Sequence, residues 1–118
     1  MIFISNPKRK SIKNKRLDEF KRKNTFPGKG HPAYLCYKEG DNFYYIGITH
    51  DDIVTIDNKK YINIKLDKNP NPEDKKDAYF VPFVGKESKN SFGHRYSNYS
   101  FTQKDKKKVR NFFNKNKK

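Results

Sequence analysis

Ala33-Tyr34-Leu35-Cys36-Tyr37-Lys38 and Phe43-Tyr44-Tyr45-Ile46-Gly47-Ile48-Thr49 flank the tetrapeptide Glu39-Gly40-Asp41-Asn42. Two runs rich in aromatic and β-branched side chains, separated by a short Gly/Asp/Asn segment, predict a β-hairpin that turns at Gly40. In an antiparallel pair the start of one strand lies beside the end of the other. His31, just before the first run, and Thr49-His50, at the end of the second, are therefore expected to meet at the open end of the hairpin.

Working outward, Ile53-Val54-Thr55-Ile56 reads as a strand, Asp57-Asn58-Lys59-Lys60 as a turn, and Tyr61-Ile62-Asn63-Ile64-Lys65-Leu66 as the next strand. Period two in that last run sets Tyr61, Asn63 and Lys65 opposite Ile62, Ile64 and Leu66. Residues 67–77 form a polar, proline-bearing loop. Ala78-Tyr79-Phe80-Val81-Pro82-Phe83-Val84 is a further strand, which Pro82 assigns to an edge or a bulge. Residues 85–100 read as irregular. A helix closes the chain over 104–114: Thr102 caps it, Asp105 completes a Thr-x-x-Asp box, and Val109, Phe112 and Phe113 share one face.

Upstream of the hairpin, residues 5–24 are polar and basic. Ile12, Leu17 and Phe20 make no clean apolar stripe, while Asp18 with Arg22 and Glu19 with Lys23 are helix-stabilising pairs. A short helix or a mobile arm is expected, ended by Phe26-Pro27-Gly28-Lys29-Gly30-His31-Pro32. There are no internal repeats. The chain thus divides into a basic arm or short helix at 1–27 and a small β-barrel domain at 28–118. The fold class is mainly β (α+β), a small twisted or barrel-like antiparallel sheet with a C-terminal helix.

Composition bounds the function. The 118 residues suffice for one small domain, and ten Phe and eight Tyr supply the apolar area that a hydrophobic content of only 32% would otherwise lack. No run is long and uncharged enough for a transmembrane helix, and the opening Met1-Ile2-Phe3-Ile4 is too short for a signal-peptide core. A single cysteine, Cys36, excludes an internal disulfide and a cysteine-type zinc site, so the expected compartment is the cytoplasm. The net charge is +15. It sits at the ends: residues 1–24 carry +7, residues 104–118 carry +7, and residues 33–103 balance to zero. Basic arms on a neutral body point to a polyanion, most often nucleic acid.

There is no Walker loop, no paired zinc ligands and no Gly-x-Ser-x-Gly elbow. Cys36 falls inside a strand and reads as a small core hydrophobe. Asp51 and Asp52 are adjacent, so they read as loop acids rather than a metal pair. The open end of the hairpin remains. An imidazole titrates near neutrality and can move protons, and a threonine hydroxyl can hydrogen-bond a phosphate oxygen. Set against this, both histidines could simply cap strand ends.

Gly30-His31-Pro32-Ala33-Tyr34-Leu35-Cys36 followed by Tyr44-Tyr45-Ile46-Gly47-Ile48-Thr49 resembles the PemK/MazF endoribonuclease toxins. The family's pattern is a Gly-rich loop, an Arg-Pro, an apolar strand, a turn, and a second strand ending in an Ile-Thr or similar pair. It also resembles the related ToxN-type toxins of RNA-antitoxin systems. The later order agrees: the strand at 78–84, a basic turn near Lys86, a polar break and an amphipathic helix. The resemblance spans roughly residues 28–114 and implies an SH3-like barrel, often dimeric. It further implies metal-independent cleavage of single-stranded RNA by its own 2′-hydroxyl, no cofactor, and a protein or RNA antitoxin as partner. The family's catalytic arginine and threonine fall on His31 and Thr49. Thr49 matches, whereas His31 replaces the arginine. Either His31 is the general acid or base, or the barrel binds RNA or DNA without cutting it, as an accessory protein of a mobile element. The candidate catalytic residues are His31, Thr49 and His50, and the candidate RNA-binding residues are Lys29, Lys86, Arg95 and Tyr96. Tyr99 is a further stacking candidate, and both tyrosines could instead pack beneath the helix. No metal site is expected.

Overall fold

The computed structural model describes residues 2–3, 16–24 and 30–115. Within them the chain is mostly β: a curled antiparallel sheet forms a small half-open barrel, and one C-terminal helix packs on it. The strands are β1 (Ile2–Phe3), β2 (Arg16–Asn24), β3 (Gly30–Glu39), β4 (Asn42–Thr49), β5 (Ile53–Ile56), β6 (Lys59–Ile62), β7 (Ile64–Lys65), β8 (Tyr79–Phe80), β9 (Gly85–Ser88) and β10 (Phe92–Arg95). Helix α1 spans Gln103–Lys115. The sheet runs β1-β9-β4-β3-β2-β10, and the far end of β4 leaves β9 to pair with β8, which in turn pairs with β7.

The hairpin β3–β4 is the centre of the molecule. Gly40 turns it at φ +58, a left-handed conformation that glycine adopts without steric cost. Both faces of the hairpin are covered. Tyr34, Cys36, Tyr44, Ile46 and Ile48 pack with Phe80, Val109 and Phe113 beneath the helix. Ala33, Leu35, Phe43 and Tyr45 pack with Phe92 on the opposite face. A register shift between Leu35 and Tyr37 accommodates Cys36. Burial on both faces explains why the two runs are apolar throughout rather than alternating. Each fully buried side chain such as Leu35 or Ile46 contributes about 1.5–3 kcal/mol.

Four expectations are corrected. First, residues 16–24 are neither helix nor arm but a nine-residue strand whose ladder on β3 runs from Arg16↔Tyr37 to Asn24↔Gly30. The acids there reach across the fold instead of four residues along. Asp18 accepts from the Tyr34 hydroxyl at 2.8 Å and pairs with Lys106 at 2.8 Å, and Glu19 meets Arg95 at 3.6 Å. The physical reason is that a helix this short with no apolar stripe has little to hold it, whereas an unpaired β3 edge would leave its backbone polar groups unsatisfied. Residues 5–15 of the expected arm lie outside the described residues. Second, residues 85–100 are largely regular: β9, a 3-10 turn at Lys89–Ser91, and β10, which closes the sheet on β2.

Third, the strand expected over 78–84 ends at Phe80; Pro82 has no amide to donate, and only Val81 N–H continues, to Gly47 O. Fourth, the alternation over 61–66 breaks at Asn63. Ile62 is 79% exposed whereas Asn63 is 4% exposed. The Asn63 amide donates to Asp51 O and its backbone N–H to Asp52 O, which turns the chain from β6, paired with β5, into β7, paired with β8.

Helix α1 buries Asp105, Val109 and Phe113, with Phe112 against Phe80 at the margin. Thr102 Oγ1 accepts from Asp105 N–H at 3.1 Å, so half of the capping box forms. The Asp105 carboxylate turns inward instead and accepts from the backbone of Asp67 and Lys68. No helix among the described residues is long and apolar enough to cross a membrane.

Candidate functional site

The ladder of the central hairpin pairs Ala33 with Gly47, Tyr34 with Ile46 and Leu35 with Tyr45. Continued two residues beyond Ala33, the same register sets His31 opposite Thr49. At that point the two strands have taken other neighbours: His31 is paired with Lys23 on β2 and Thr49 with Tyr79 on β8. The parting of the strands opens a cleft of about 380 Å³, lined by His31, Thr49, His50, Asp51, Asp74, Tyr96 and Tyr99 among others. That volume suits a nucleotide-sized ligand. A second void, between β2, β3 and α1 and lined by Arg16, Tyr34, Cys36 and Arg110, holds only about 10 Å³. It has room for one water and no more.

His50 and Asp74 make the shortest polar contact of the cleft: Nε2 lies 2.6 Å from Asp74 Oδ2. An ionised carboxylate only accepts, so neutral His50 carries its proton on Nε2 and leaves Nδ1 as a base. Asp74 is suited to stay ionised. The Lys76 N–H on its other oxygen, at 3.0 Å, is the main cause that lowers its pKa; desolvation opposes it, and His50 and Asn69 add smaller lowering contributions. His50 keeps 52% of its side chain exposed, so its ring is open to solvent and to a ligand. Thr49 Oγ1 accepts from Asp51 N–H at 3.2 Å, which leaves the hydroxyl hydrogen to donate. His31 is exposed at the other lip.

The tyrosines combine both readings made from the sequence. Tyr96 and Tyr99 stack at 4.5 Å with their planes 16° apart, and Tyr99 packs on Phe20 at 5.7 Å. They therefore belong to the margin of the core and also form a wall of the cleft. Burial raises the Tyr99 pKa, with the charges of Tyr96 and Asp74 adding to it. His94 stands edge-on to Tyr96 at 4.8 Å.

The expected cations are not gathered here. Lys86 sits at the turn end of the hairpin, bonded to Glu39 at 2.8 Å and over the Tyr44 ring at 5.4 Å. Arg95 turns to Glu19 on the other side of the sheet. Lys29 lies outside the described residues. No described Lys or Arg lines the cleft, so among the described residues only an imidazole can carry a positive charge there. Among the described residues no three His, Cys, Asp or Glu side chains are arranged to hold a metal ion. Cys36 is buried, and burial pushes its thiol pKa up, consistent with a core side chain rather than a nucleophile.

Sequence reading alone missed Asp74, 24 residues from His50. It arrives on the 67–77 loop, which is built by side-chain-to-backbone bonds two residues on: Asn71 N–H to Asn69 Oδ1, Glu73 N–H to Asn71 Oδ1, Lys76 N–H to Asp74 Oδ1. The alternation Asn69-Pro70-Asn71-Pro72 followed by Asp74 is a signal of turn chemistry that marks this loop as ordered. Comparison with protein-family models, with curated proteins and with solved structures returns no match for this chain.

Proposed function

We propose that this protein is a metal-independent endoribonuclease acting on single-stranded RNA. One observation carries the reading: two imidazoles and a hydroxyl line a single nucleotide-sized cleft, and one imidazole is held by a carboxylate at 2.6 Å. Cleavage of RNA by its own 2′-hydroxyl needs a base, an acid and charge stabilisation at phosphorus. His50, oriented by Asp74, takes the 2′-hydroxyl proton on Nδ1. The 2′-oxygen attacks phosphorus, the bond to the 5′-oxygen breaks, and protonated His31 delivers a proton to that leaving oxygen. The products are a 2′,3′-cyclic phosphate and a 5′-hydroxyl. Thr49 donates to a phosphate oxygen, the stacked tyrosines offer a wall to a base, and the cationic chain termini attract the strand. The resemblance to PemK/MazF toxins adds support and suggests a cognate antitoxin, protein or RNA, and a homodimer.

A second reading, binding of RNA or DNA without cleavage, is favoured by the lack of any described Lys or Arg in the cleft. Incubation of end-labelled single-stranded RNA in EDTA separates the two. Wild type should generate cyclic-phosphate ends, and His31→Ala and His50→Ala should each cut at least about 100-fold more slowly. One neutral and one protonated ring further require a bell-shaped pH profile, with each limb lost in the corresponding variant. RNA left intact by wild type sinks the nuclease reading and leaves the binding one.

A further inference from the structure

We infer that Asp105, on the basic helix α1, is a positioning residue that sets the Asp74–His50 contact through the 67–77 loop. The inference rests on the cleft being the working site. Asp105 is completely buried, the only acid among the described residues in that position. A buried carboxylate costs several kcal/mol unless its oxygens are satisfied. Both of its oxygens are used, and on the same short stretch: Oδ1 accepts from Asp67 N–H at 2.7 Å and Oδ2 from Lys68 N–H at 3.1 Å. The Lys108 ammonium lies 3.9 Å from Oδ1 and donates to Lys65 O at 2.8 Å. A helix N-terminus needs no such group, because Thr102 alone caps it from a more exposed position. The buried carboxylate is explained by what it holds.

It holds the entry to the loop. Leu66 N–H to Ala78 O closes the neck of that loop at 2.9 Å, and Ser100 N–H to Pro70 O ties its crest to the segment before α1 at 3.1 Å. Asn69 braces the interior, accepting from Asn71 N–H and donating to Lys76 O at 3.1 Å. Lys76 N–H and Asn71 O then fix Asp74 from both sides. Hydrogen bonds joined by the loop backbone at Lys68-Asn69 link the Asp105 carboxylate to His50 Nε2. Asparagine at 105 cannot replace it: one oxygen accepts one N–H, and its NH₂ faces the second donor. The loop entry would have to shift, and a displacement on the order of 1 Å at a catalytic contact costs up to about 100-fold in rate.

The test is the ring ¹H–¹⁵N spectrum of His50 in the full chain, with RNA cleavage as a separate measurement. Asp74→Asn defines the shifts of a ring without its carboxylate. Asp105→Asn should move the His50 signals along the same line, toward those of Asp74→Asn, and lower kcat with KM little changed. Val109→Ala, which weakens the packing of the same helix but removes none of the hydrogen bonds of the loop, should leave the His50 ring where wild type has it. Asn69→Ala, which cuts the brace inside the loop, should reproduce the displacement even if Asp105→Asn fails to fold. Wild-type His50 shifts in a folded Asp105→Asn, or in Asn69→Ala, overturn the inference. Absence of RNA cleavage by wild type, with the shifts moving as described, overturns the nuclease reading and leaves this one standing.

Discussion

The two ends of the central hairpin carry similar kinds of residues to opposite effect. At the turn end, charges cancel in pairs. Lys86 bonds Glu39 at 2.8 Å, Lys89 approaches Asp41 at 3.5 Å, and the Tyr44 hydroxyl shares Glu39 Oε1 at 3.4 Å. At the open end the strands diverge, the basic side chains among the described lining residues are histidines, and one acid serves one imidazole. Lysines and carboxylates are both fully charged at neutral pH, so a pair of them only holds structure. An imidazole against a carboxylate can change its charge near neutrality, so it can do chemistry. Where strand ends part in a small barrel, a cleft appears that the ladder elsewhere fills.

Substitutions at the two ends sharpen this contrast. The largest expected effect is at the floor of the open end. Phe80, fully buried and paired in register with Ile48, supports the strand that ends in Thr49. Phe80→Ala should lose about 3–5 kcal/mol in a denaturant titration. Next, His50→Ala should slow RNA cleavage about 100-fold, equivalent to about 2.7 kcal/mol in the transition state, while leaving the unfolding midpoint nearly unchanged. An equal loss of activity from Lys86→Met would erase the distinction between the ends. At the turn end, Gly40→Ala meets open space but takes a side chain into φ +58, and should cost about 1 kcal/mol of stability with cleavage intact. Lys86→Met should cost about 1 kcal/mol or less for the same reason that partly exposed ion pairs contribute little.

The smallest effects distinguish the ends by pH. Asp74 has its pKa lowered first by the Lys76 N–H. Its contribution is therefore present above its ordinary 3.8 and is lost as pH falls through the lower folded value. Lys86 has its pKa raised first by its bond to Glu39. Its contribution is present below the ordinary 10.5 and is lost as pH rises through the higher folded value. Thermal midpoints against pH should thus show Asp74→Asn converging on wild type only at the acid limb, and Lys86→Met only at the alkaline limb. Convergence of both variants at the same limb would contradict the assignment.

Much of this was legible in the residues. The hairpin, its turn at Gly40 and the closing helix follow from aromatic and β-branched runs, a Gly-Asp pair and a 3.6-residue period. The meeting of His31 with Thr49 and His50 follows from hairpin topology alone. What stayed hidden was non-local. Arg16–Asn24 contains the spacings of a helix, since its acids and bases stand four apart, yet each acid finds its partner on another element: Asp18 on β3 and α1, Glu19 on β10. Lys86 and Arg95 carry the right charge for RNA but face acids elsewhere, and charge type says nothing of direction. Asp74 lies in a loop whose sequence announces turns without announcing what they face.

By itself, then, the amino-acid sequence determined the β-rich class, the hairpin and the two histidines at its open end, because periodicity and turn chemistry act between near neighbours. Only the tertiary structure decided that β2 joins the sheet, that Asp105 is buried beneath the 67–77 loop, and that Asp74 meets His50. Those depend on which distant backbone groups and charges remain unsatisfied once the hairpin has formed, and that demand is a property of the assembled molecule.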